Sequence, residues 1–136
     1  HLLRRQDTDV FSRSLRIGLV FAAIGTVFSI VSGHTEAQVA VEDQPMKFAA
    51  MEAQWETSDS PAPWSMVALI DQDEQRNTVS VEIPYLGSVL AYNSLEGRYE
   101  GLVPLNEEYQ RLYGEGDYIP PVAWVYWSFR TIVAIG

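Results

Sequence analysis

The chain has 136 residues, 47% of them hydrophobic, and a formal net charge of −9 at pH 7. The hydrophobic content excludes a disordered polar chain, and the negative charge argues against nucleic-acid partners, whose phosphates are bound by Lys and Arg. The chain has no cysteine and two histidines, which excludes disulfide frameworks, thiol nucleophiles and metal sites built from cysteine or several histidines.

The first predicted element is an apolar helix. Ile17–Ser32 contains no charged residue, and the longer run Leu15–Gly33 can cross roughly 30 Å of hydrocarbon at about 1.5 Å per residue. Because this run is apolar all round, we predict a transmembrane helix at residues 14–33. The arginine-rich residues 1–13 then stay on the cytoplasmic side, and the acidic residues that follow lie outside.

Two other interpretations of this apolar run stay open. A cleaved signal peptide would combine the basic start and the apolar stretch with small residues at Thr35 and Ala37, on either side of Glu36. The other alternative is a core helix of a soluble protein. A helix of this kind usually has one polar face, which this run lacks.

Residues 34–120 are predicted to form an extracytoplasmic loop with a small ordered structure; they contain sixteen acidic and four basic residues. Gln44–Glu56 is rich in helix formers, with Asp43 as its N-cap and Pro45 in its first turn, which predicts a short helix. The segment Ser58–Pro63, rich in serine and proline, is expected to end this helix.

A hairpin and a brief helix are predicted further along the same loop. Trp64–Ile70 and Thr78–Tyr85 are both β-prone and are separated by a polar stretch, which predicts an antiparallel β-hairpin. Asn106–Glu108, followed by Arg111 and Gly114, predicts a brief helix with its acids in the first turn, its base in the last turn and a glycine at its end.

Residues 121–136 form a second apolar run, which we predict to be the start of another transmembrane helix. Trp124, Tyr126 and Trp127 are typical of an interfacial aromatic belt. Arg130 follows a few positions further in, and because a charge in lipid is costly, we expect it to face protein or a cofactor. Since this run is shorter than a full span, we expect the chain to be a fragment of a larger membrane protein.

Gln44, Lys47 and Glu52 are the candidate binding and catalytic residues. On a helix, Gln44 and Lys47 share a face, whereas Lys47 and Glu52 lie about 140° apart around the axis. The two charges could flank a groove, one donating a hydrogen bond to a ligand oxygen and the other accepting a proton. The alternative is a pair of solvated charges on an amphipathic helix with an apolar buried side.

The segment Gln44–Glu56, QPMKFAAMEAQWE, resembles the start of the quinol-binding loop in subunit I of cytochrome bd quinol oxidases. Shorter resemblances to this family follow in the same order at Ser32–His34, Ile83–Tyr85, Pro120–Pro121 and Trp127–Arg130. Together they cover essentially the whole chain. The resemblance implies a mainly α membrane protein fragment, with one transmembrane helix, an extracytoplasmic loop holding a short helix and a small β-hairpin, and the start of a second transmembrane helix.

The resemblance also implies a function. A cytochrome bd oxidase of the cell (inner) membrane oxidises quinol and reduces oxygen to water through b and d haems, contributing to the proton gradient. Its partners would be quinol, oxygen, the lipid bilayer and subunit II of the oxidase. Lys47 and Glu52 match the family's pair implicated in quinol oxidation, and Gln44 matches a third polar residue at the quinol. The fragment alone is expected to be inactive.

Haem cofactors are implied by the same resemblance. Arg130 matches an arginine near the low-spin haem b, where a cation would pair with a propionate. The axial methionine of that haem corresponds to Ile132, which cannot ligate iron. His34 is interpreted as an interfacial residue at a helix exit. We therefore expect no iron ligand in this chain, and no complete site for the low-spin haem b, the high-spin haem b or haem d.

The alternative function is a secreted or single-pass acidic binding domain without catalysis. Trp64, Tyr85 and Tyr92 would then be its contact residues, since aromatic anchors dominate protein interfaces. The two functions differ in whether the apolar run after Pro121 continues to about twenty residues, the length that a membrane span needs.

Overall fold

The structure, a computed structural model, describes residues 8–135 and divides the chain into two compact units with a boundary after Glu36. The described residues form, in chain order, α1 (Thr8–Asp43), α2 (Pro45–Glu52), β1 (Trp64–Asp71), β2 (Arg76–Ile83), α3 (Leu86–Tyr92), α4 (Leu102–Tyr113) and α5 (Val122–Ile135). This is the predicted mainly helical class, with a long apolar helix first, a short helix and a hairpin in the middle, and an apolar helix last.

The first unit contains most of α1, a helix with no buried residue. Its most apolar window of 18 residues has a mean hydropathy of 2.0, and Phe21 and Phe28 are 71% and 74% exposed. Among the described residues, α1 is the helix that is long and apolar enough to cross a membrane. The helix runs through Gly33 and His34 to Asp43, so the predicted helix exit at His34 is wrong: a glycine within a helix does not by itself end it, and the first proline comes at position 45.

Pro45 determines where α1 ends. Proline has no N–H group and disfavours helical geometry in the residue before it, and Gln44 accordingly adopts φ −137° and ψ 57°. The Gln44 N–H still donates to the Ala40 carbonyl (3.1 Å), and the Gln44 carbonyl accepts from the Phe48 N–H (3.0 Å). Gln44 is therefore the N-cap of α2, and the predicted N-cap, Asp43, is instead the last residue of α1.

The end of α2 comes four residues earlier than the helix formers predict. Ala53 adopts the left-handed conformation (φ 52°), and its N–H donates back to carbonyls of the last turn. The Asn77 side chain of the hairpin then donates to the Ala53 carbonyl (2.9 Å) and accepts from the Trp55 indole N–H (3.1 Å). These tertiary hydrogen bonds hold the segment after Glu52 in a non-helical path.

The predicted β-hairpin is confirmed. β1 and β2 pair antiparallel from Trp64 opposite Ile83 to Asp71 opposite Arg76, with an irregularity in register after Ser65. That irregularity shifts the alternation of the strand, so that Ser65 and Ala68 both face the core. The hairpin therefore buries the part of β1 that lies near α5, whereas every residue of β2 is at least partly exposed.

The two helices after the hairpin differ from the prediction. The sequence pattern did not indicate α3, whose Gly87 packs so close to the Pro63 backbone that a Cβ atom would collide with it. The predicted brief helix exists as α4 but begins at Leu102, whose N–H donates to the Gln54 carbonyl (2.8 Å). Its first turn consequently contains no acidic residue, while its end at Gly114 is as predicted.

The core of the second unit lies around α2. Ala49, Ala50 and Ala53 are almost fully buried, and these small side chains let α2 pack closely against α4 and α5. The start of α5 is held by Gln72 at the end of the hairpin, which accepts from the Val122 N–H (2.9 Å). This anchoring brings the inner face of α5 against the last turn of α2.

Candidate functional site

The helix α2 presents Lys47 and Glu52 to different surroundings. Lys47 is exposed to solvent, whereas Glu52 is buried. The structure brings Lys47 together with Gln44 at one cavity and brings Glu52 together with Arg130 inside the core. Lys47 is thus solvated, whereas Glu52 is not a solvated surface charge, because the side of α2 that carries Glu52 packs against α5.

A cavity of about 350 Å³ lies beside the first turn of α2. Its lining residues are Asp43, Gln44, Met46, Lys47, Tyr109, Tyr118, Pro120 and Val125. Most of this lining is apolar or aromatic, with a small number of polar groups on the α2 side, which is the usual composition of a site for a ring-shaped ligand. Glu52 does not line this cavity.

Two tyrosines form the aromatic wall of the cavity. The rings of Tyr109 and Tyr118 lie 6.0 Å apart between centroids with an interplanar angle of 78°, an edge-to-face arrangement. The Tyr118 N–H donates to the Asn106 side chain (2.8 Å), and the Tyr118 hydroxyl donates to the Gly114 carbonyl (3.2 Å). The return segment after α4 is thus fixed to α4, which keeps the wall in place.

Glu52 and Arg130 form a buried ion pair. The distance from Arg130 Nη2 to Glu52 Oε2 is 2.8 Å, and that from Nη1 to Oε1 is 3.4 Å, so the guanidinium contacts both carboxylate oxygens. The exposed fractions of the two side chains are 10% for Arg130 and 6% for Glu52. Arg130 Nη2 also donates to the backbone carbonyl of Ser65 on β1.

Aromatic rings hold the guanidinium of Arg130 in position. Its Cζ atom lies 4.8 Å from the ring centroid of Trp64 and 4.6 Å from that of Tyr126, distances at which a cation is attracted to a ring face. Trp64, expected as a contact residue if the chain were a binding domain, is therefore half-buried, with its ring against Arg130. Arg130 Nε is buried and has no hydrogen-bond partner among the described residues.

The electrostatics of the buried pair reflect two opposing effects. Burial raises the pKa of Glu52 above its ordinary value, while the Arg130 guanidinium and a hydrogen bond from Trp64 lower it. Burial and the nearby Glu52 carboxylate also raise the pKa of Tyr99, whose hydroxyl donates to the Pro63 carbonyl (2.7 Å). The charge of Glu52 therefore depends on its ion pair with Arg130.

The remaining predicted residues lie elsewhere. Ile132 is 70% exposed on the outer part of α5, and His34 lies within α1. Tyr85 is 55% exposed, and the Tyr92 hydroxyl donates to the Arg98 carbonyl (2.9 Å). Within residues 8–135, no group of three or more His, Cys, Asp or Glu side chains converges as a metal site.

Several contacts of these two sites were not predicted from the sequence. Tyr126 and Arg130 are four residues apart on α5, and this helical spacing is a signal that could have linked the ring to the cation. The contribution of Ser65 comes from its backbone carbonyl, for which a sequence carries no signal. The approach of Tyr109 and Tyr118 to α2 depends on tertiary packing alone.

The chain is similar to known proteins of one family. The whole chain, residues 1–136, matches the family model described as cytochrome bd terminal oxidase subunit I. It is 38% identical over 135 residues to cytochrome bd ubiquinol oxidase subunit 1 of Bacillus subtilis, covering 99% of this chain and 29% of that protein. It is 39% identical over 113 residues to cytochrome bd-II ubiquinol oxidase subunit 1 of Escherichia coli, covering 82% of this chain and 22% of that protein. The chain thus spans less than a third of the length of these relatives.

Proposed function

Because this chain belongs to the cytochrome bd terminal oxidase subunit I family, we propose that it forms the quinol-oxidising part of a membrane enzyme that reduces oxygen to water. The observation that carries this proposal is the cavity lined by Gln44 and Lys47, on the same short helix as the buried Glu52–Arg130 pair. The family match favours this function over that of a secreted or single-pass binding domain.

The first step in the proposal is the binding of quinol beside Lys47. The ring occupies the aromatic cavity, and the exposed ammonium group of Lys47 donates a hydrogen bond to one quinol oxygen, with Gln44 as a second polar contact. A quinol loses two electrons and two protons on oxidation, so negative charge develops on its oxygen as the first proton leaves. A cation fixed beside that oxygen stabilises this charge.

The second step is the removal of a proton, for which Glu52 is the proposed acceptor. A general base must reach the proton directly or through one water molecule. Glu52 lies outside the cavity wall, so the proton travels from the quinol hydroxyl to the carboxylate through a bridging water. Burial suits this role, because it raises the pKa of Glu52 and so makes the carboxylate a stronger base.

The haem groups of the family fit this chain at one position. Arg130 Nε is a buried donor without a described partner, and it would donate to a haem propionate while the other guanidinium nitrogens hold Glu52 and Ser65. Acceptance of the quinol electrons is the chemistry that a bound haem supplies. Ile132 stands where the resemblance implies an axial methionine, and isoleucine cannot bind iron. We therefore propose that the ligands of the low-spin haem b, the high-spin haem b and haem d come from outside this chain.

The proposal also places the chain in the cell membrane. Residues 14–33 of α1 span the bilayer, and residues 34–120 lie outside. The arginine-rich residues 1–13, of which 1–7 are outside the described part of the chain, lie in the cytoplasm. Residues 121–136 begin the next span. Protons released from quinol at the loop then enter the extracytoplasmic side and contribute to the proton gradient, and subunit II completes the oxidase.

The test is the substitution of Glu52 and Lys47 in the full-length subunit of the assembled oxidase. Loss of a general base is expected to lower kcat for quinol oxidation by about 100-fold or more in Glu52→Gln. Loss of the ammonium group that contacts the quinol oxygen is expected to lower kcat/KM by about 100-fold in Lys47→Ala. Steady-state oxidation of quinol gives both values, and a reduced-minus-oxidised spectrum gives the haem content.

Matched controls come from the same chain. Glu56→Gln makes the same change at an exposed glutamate four residues beyond Glu52, and Arg111→Ala removes an exposed cation from α4. Both controls are expected to keep normal rates. Unchanged quinol oxidation in Glu52→Gln and Lys47→Ala would contradict the proposal, and so would loss of haem in parallel with loss of activity.

A further inference from the structure

The contacts of Arg130 set it apart from every other described arginine. It reaches both oxygens of a buried carboxylate (2.8 and 3.4 Å), donates to the Ser65 carbonyl and lies against the rings of Trp64 and Tyr126. These partners come from β1, α2 and α5. The guanidinium is therefore held by contacts to β1 and α5 in addition to its attraction to Glu52 on α2.

A buried carboxylate needs such a partner to stay charged. Transfer of an isolated carboxylate from water into a protein interior is so costly that the group usually binds a proton instead. A cation that touches both oxygens offsets this cost and also fixes the direction of the carboxylate. Without Arg130, the burial of Glu52 would favour its neutral form, which cannot accept a proton.

We propose that Arg130 is the positioning residue of the quinol site, keeping the Glu52 carboxylate ionised and oriented for proton acceptance. This inference rests on the proposed role of Glu52 as the base. It gives Arg130 a role toward its carboxylate neighbour that does not depend on a haem. The residue acts through Glu52 and does not itself touch the quinol.

The other groups that face Glu52 do not replace Arg130. Trp64 on β1 contributes a neutral N–H donor, and Tyr99, after α3, has its pKa raised by burial and by Glu52, so it stays protonated. Arg130 is therefore the cation that acts on Glu52 from the elements packed around it. Once Glu52 is protonated, the Ser65 carbonyl and the two rings keep the guanidinium in place. Arg130 therefore stays beside Glu52 and favours the release of its proton.

The pH dependence of the reaction tests this inference in the full-length, assembled oxidase. In the parent enzyme, kcat/KM falls as the pH is lowered through the pKa of Glu52, because the protonated carboxyl cannot act as a base. Arg130→Gln removes the influence that lowers this pKa, so the acid limb is expected to move upward by about one to three pH units. Arg111→Gln, the same change at an exposed arginine, is expected to leave the limb in place.

Arg130→Lys is the second variant, for use if Arg130→Gln does not assemble. Lysine keeps the charge but cannot make the two-point contact, so the limb is expected to move upward by less than in Arg130→Gln. Infrared titration supplies a readout besides activity, with the band of the protonated Glu52 carboxyl identified by its loss in Glu52→Gln. This band is expected to persist to higher pH in both Arg130 variants.

The outcomes separate this inference from the proposed function. A normal rate in Glu52→Gln overturns the proposed function itself. An inactive Glu52→Gln together with parent-like acid limbs and infrared titrations in the Arg130 variants overturns only the role of Arg130. A change confined to the haem midpoint potential, with the acid limb unmoved, likewise overturns it, because Arg130 would then act on a propionate alone.

Discussion

The two ends of α2 show how one short helix serves two electrostatic environments. Lys47, near the start, faces water at the rim of an aromatic cavity, whereas Glu52, at the end, lies in the core against Arg130. Five residues turn the helix by about 140°, which is enough to separate a solvated charge from a buried one. The five-residue spacing of Lys47 and Glu52 is thus poor for an ion pair between them, but it allows one residue to face a ligand cavity and the other to face the core.

The two environments are also built in different ways. The cavity wall is held by hydrogen bonds that are local in sequence, such as that from Tyr118 to Asn106, twelve residues earlier. The buried pair depends on contacts over long sequence separations, since Glu52 and Arg130 are 78 positions apart. We therefore expect changes at the buried pair to affect the whole second unit, and changes at the cavity to affect ligand binding alone.

The largest expected effect comes from breaking the buried pair on one side. Arg130→Met removes the cation beside the buried Glu52, which must then either stay charged without a partner or bind a proton, and the loss of the pair is expected to lower the free energy of unfolding by about 3–5 kcal/mol. Thermal unfolding of the purified full-length protein, followed through the intrinsic fluorescence of its tryptophans, measures the loss.

The double variant Glu52→Gln, Arg130→Met is the control for this prediction. It removes both charges, so the unpaired carboxylate no longer contributes, and the double variant is expected to be more stable than Arg130→Met alone. Equal losses in the two variants would show that the ion pair does not account for the effect.

A smaller effect is expected at the cavity. Tyr118→Leu removes one of the two rings of the aromatic wall, and the lost ring contacts are expected to raise KM for quinol by about 2- to 10-fold. The acid limb of the pH profile should not move, because Glu52 does not line this cavity. Steady-state rates over a range of quinol concentrations and pH values test both statements.

Tyr118→Phe supplies the matched control for the cavity. It keeps the ring and removes only the hydroxyl that donates to the Gly114 carbonyl, so a near-normal KM is expected. If Tyr118→Phe raised KM as much as Tyr118→Leu, the hydroxyl and not the ring would be the important feature. A moved acid limb in Tyr118→Leu would show that the cavity wall also affects the pKa of Glu52.

The smallest effect is expected at a surface ion pair, which is the exposed counterpart of the buried pair. Arg76 and Glu74, in the hairpin, approach to 4.0 Å with side chains that are 64% and 67% exposed. Arg76→Ala is expected to change the free energy of unfolding by no more than about 1 kcal/mol. A loss as large as that of Arg130→Met, measured in the same unfolding experiment, would mean that burial is not what distinguishes the pairs.

Local sequence patterns were sufficient for most of the elements. The apolar run of α1, the alternation of the hairpin strands and the proline before α5 each act through neighbouring residues, and all three elements were predicted. The errors arose where distant residues intervene. Asn77 ends α2 early through its bond to Ala53, and the Gln54 carbonyl draws the start of α4 back to Leu102.

By itself, the sequence determined the family, the apolar character of α1 and α5, and the choice of Gln44, Lys47, Glu52 and Arg130 as candidate residues, because motif and hydropathy are properties of the chain alone. Only the tertiary structure decided how those residues are grouped. Packing of α5 and β1 against α2 joins Arg130 to Glu52 and leaves Lys47 with Gln44 at the cavity. The physical reason is that burial, which controls the charge of Glu52, is produced by residues far away in sequence.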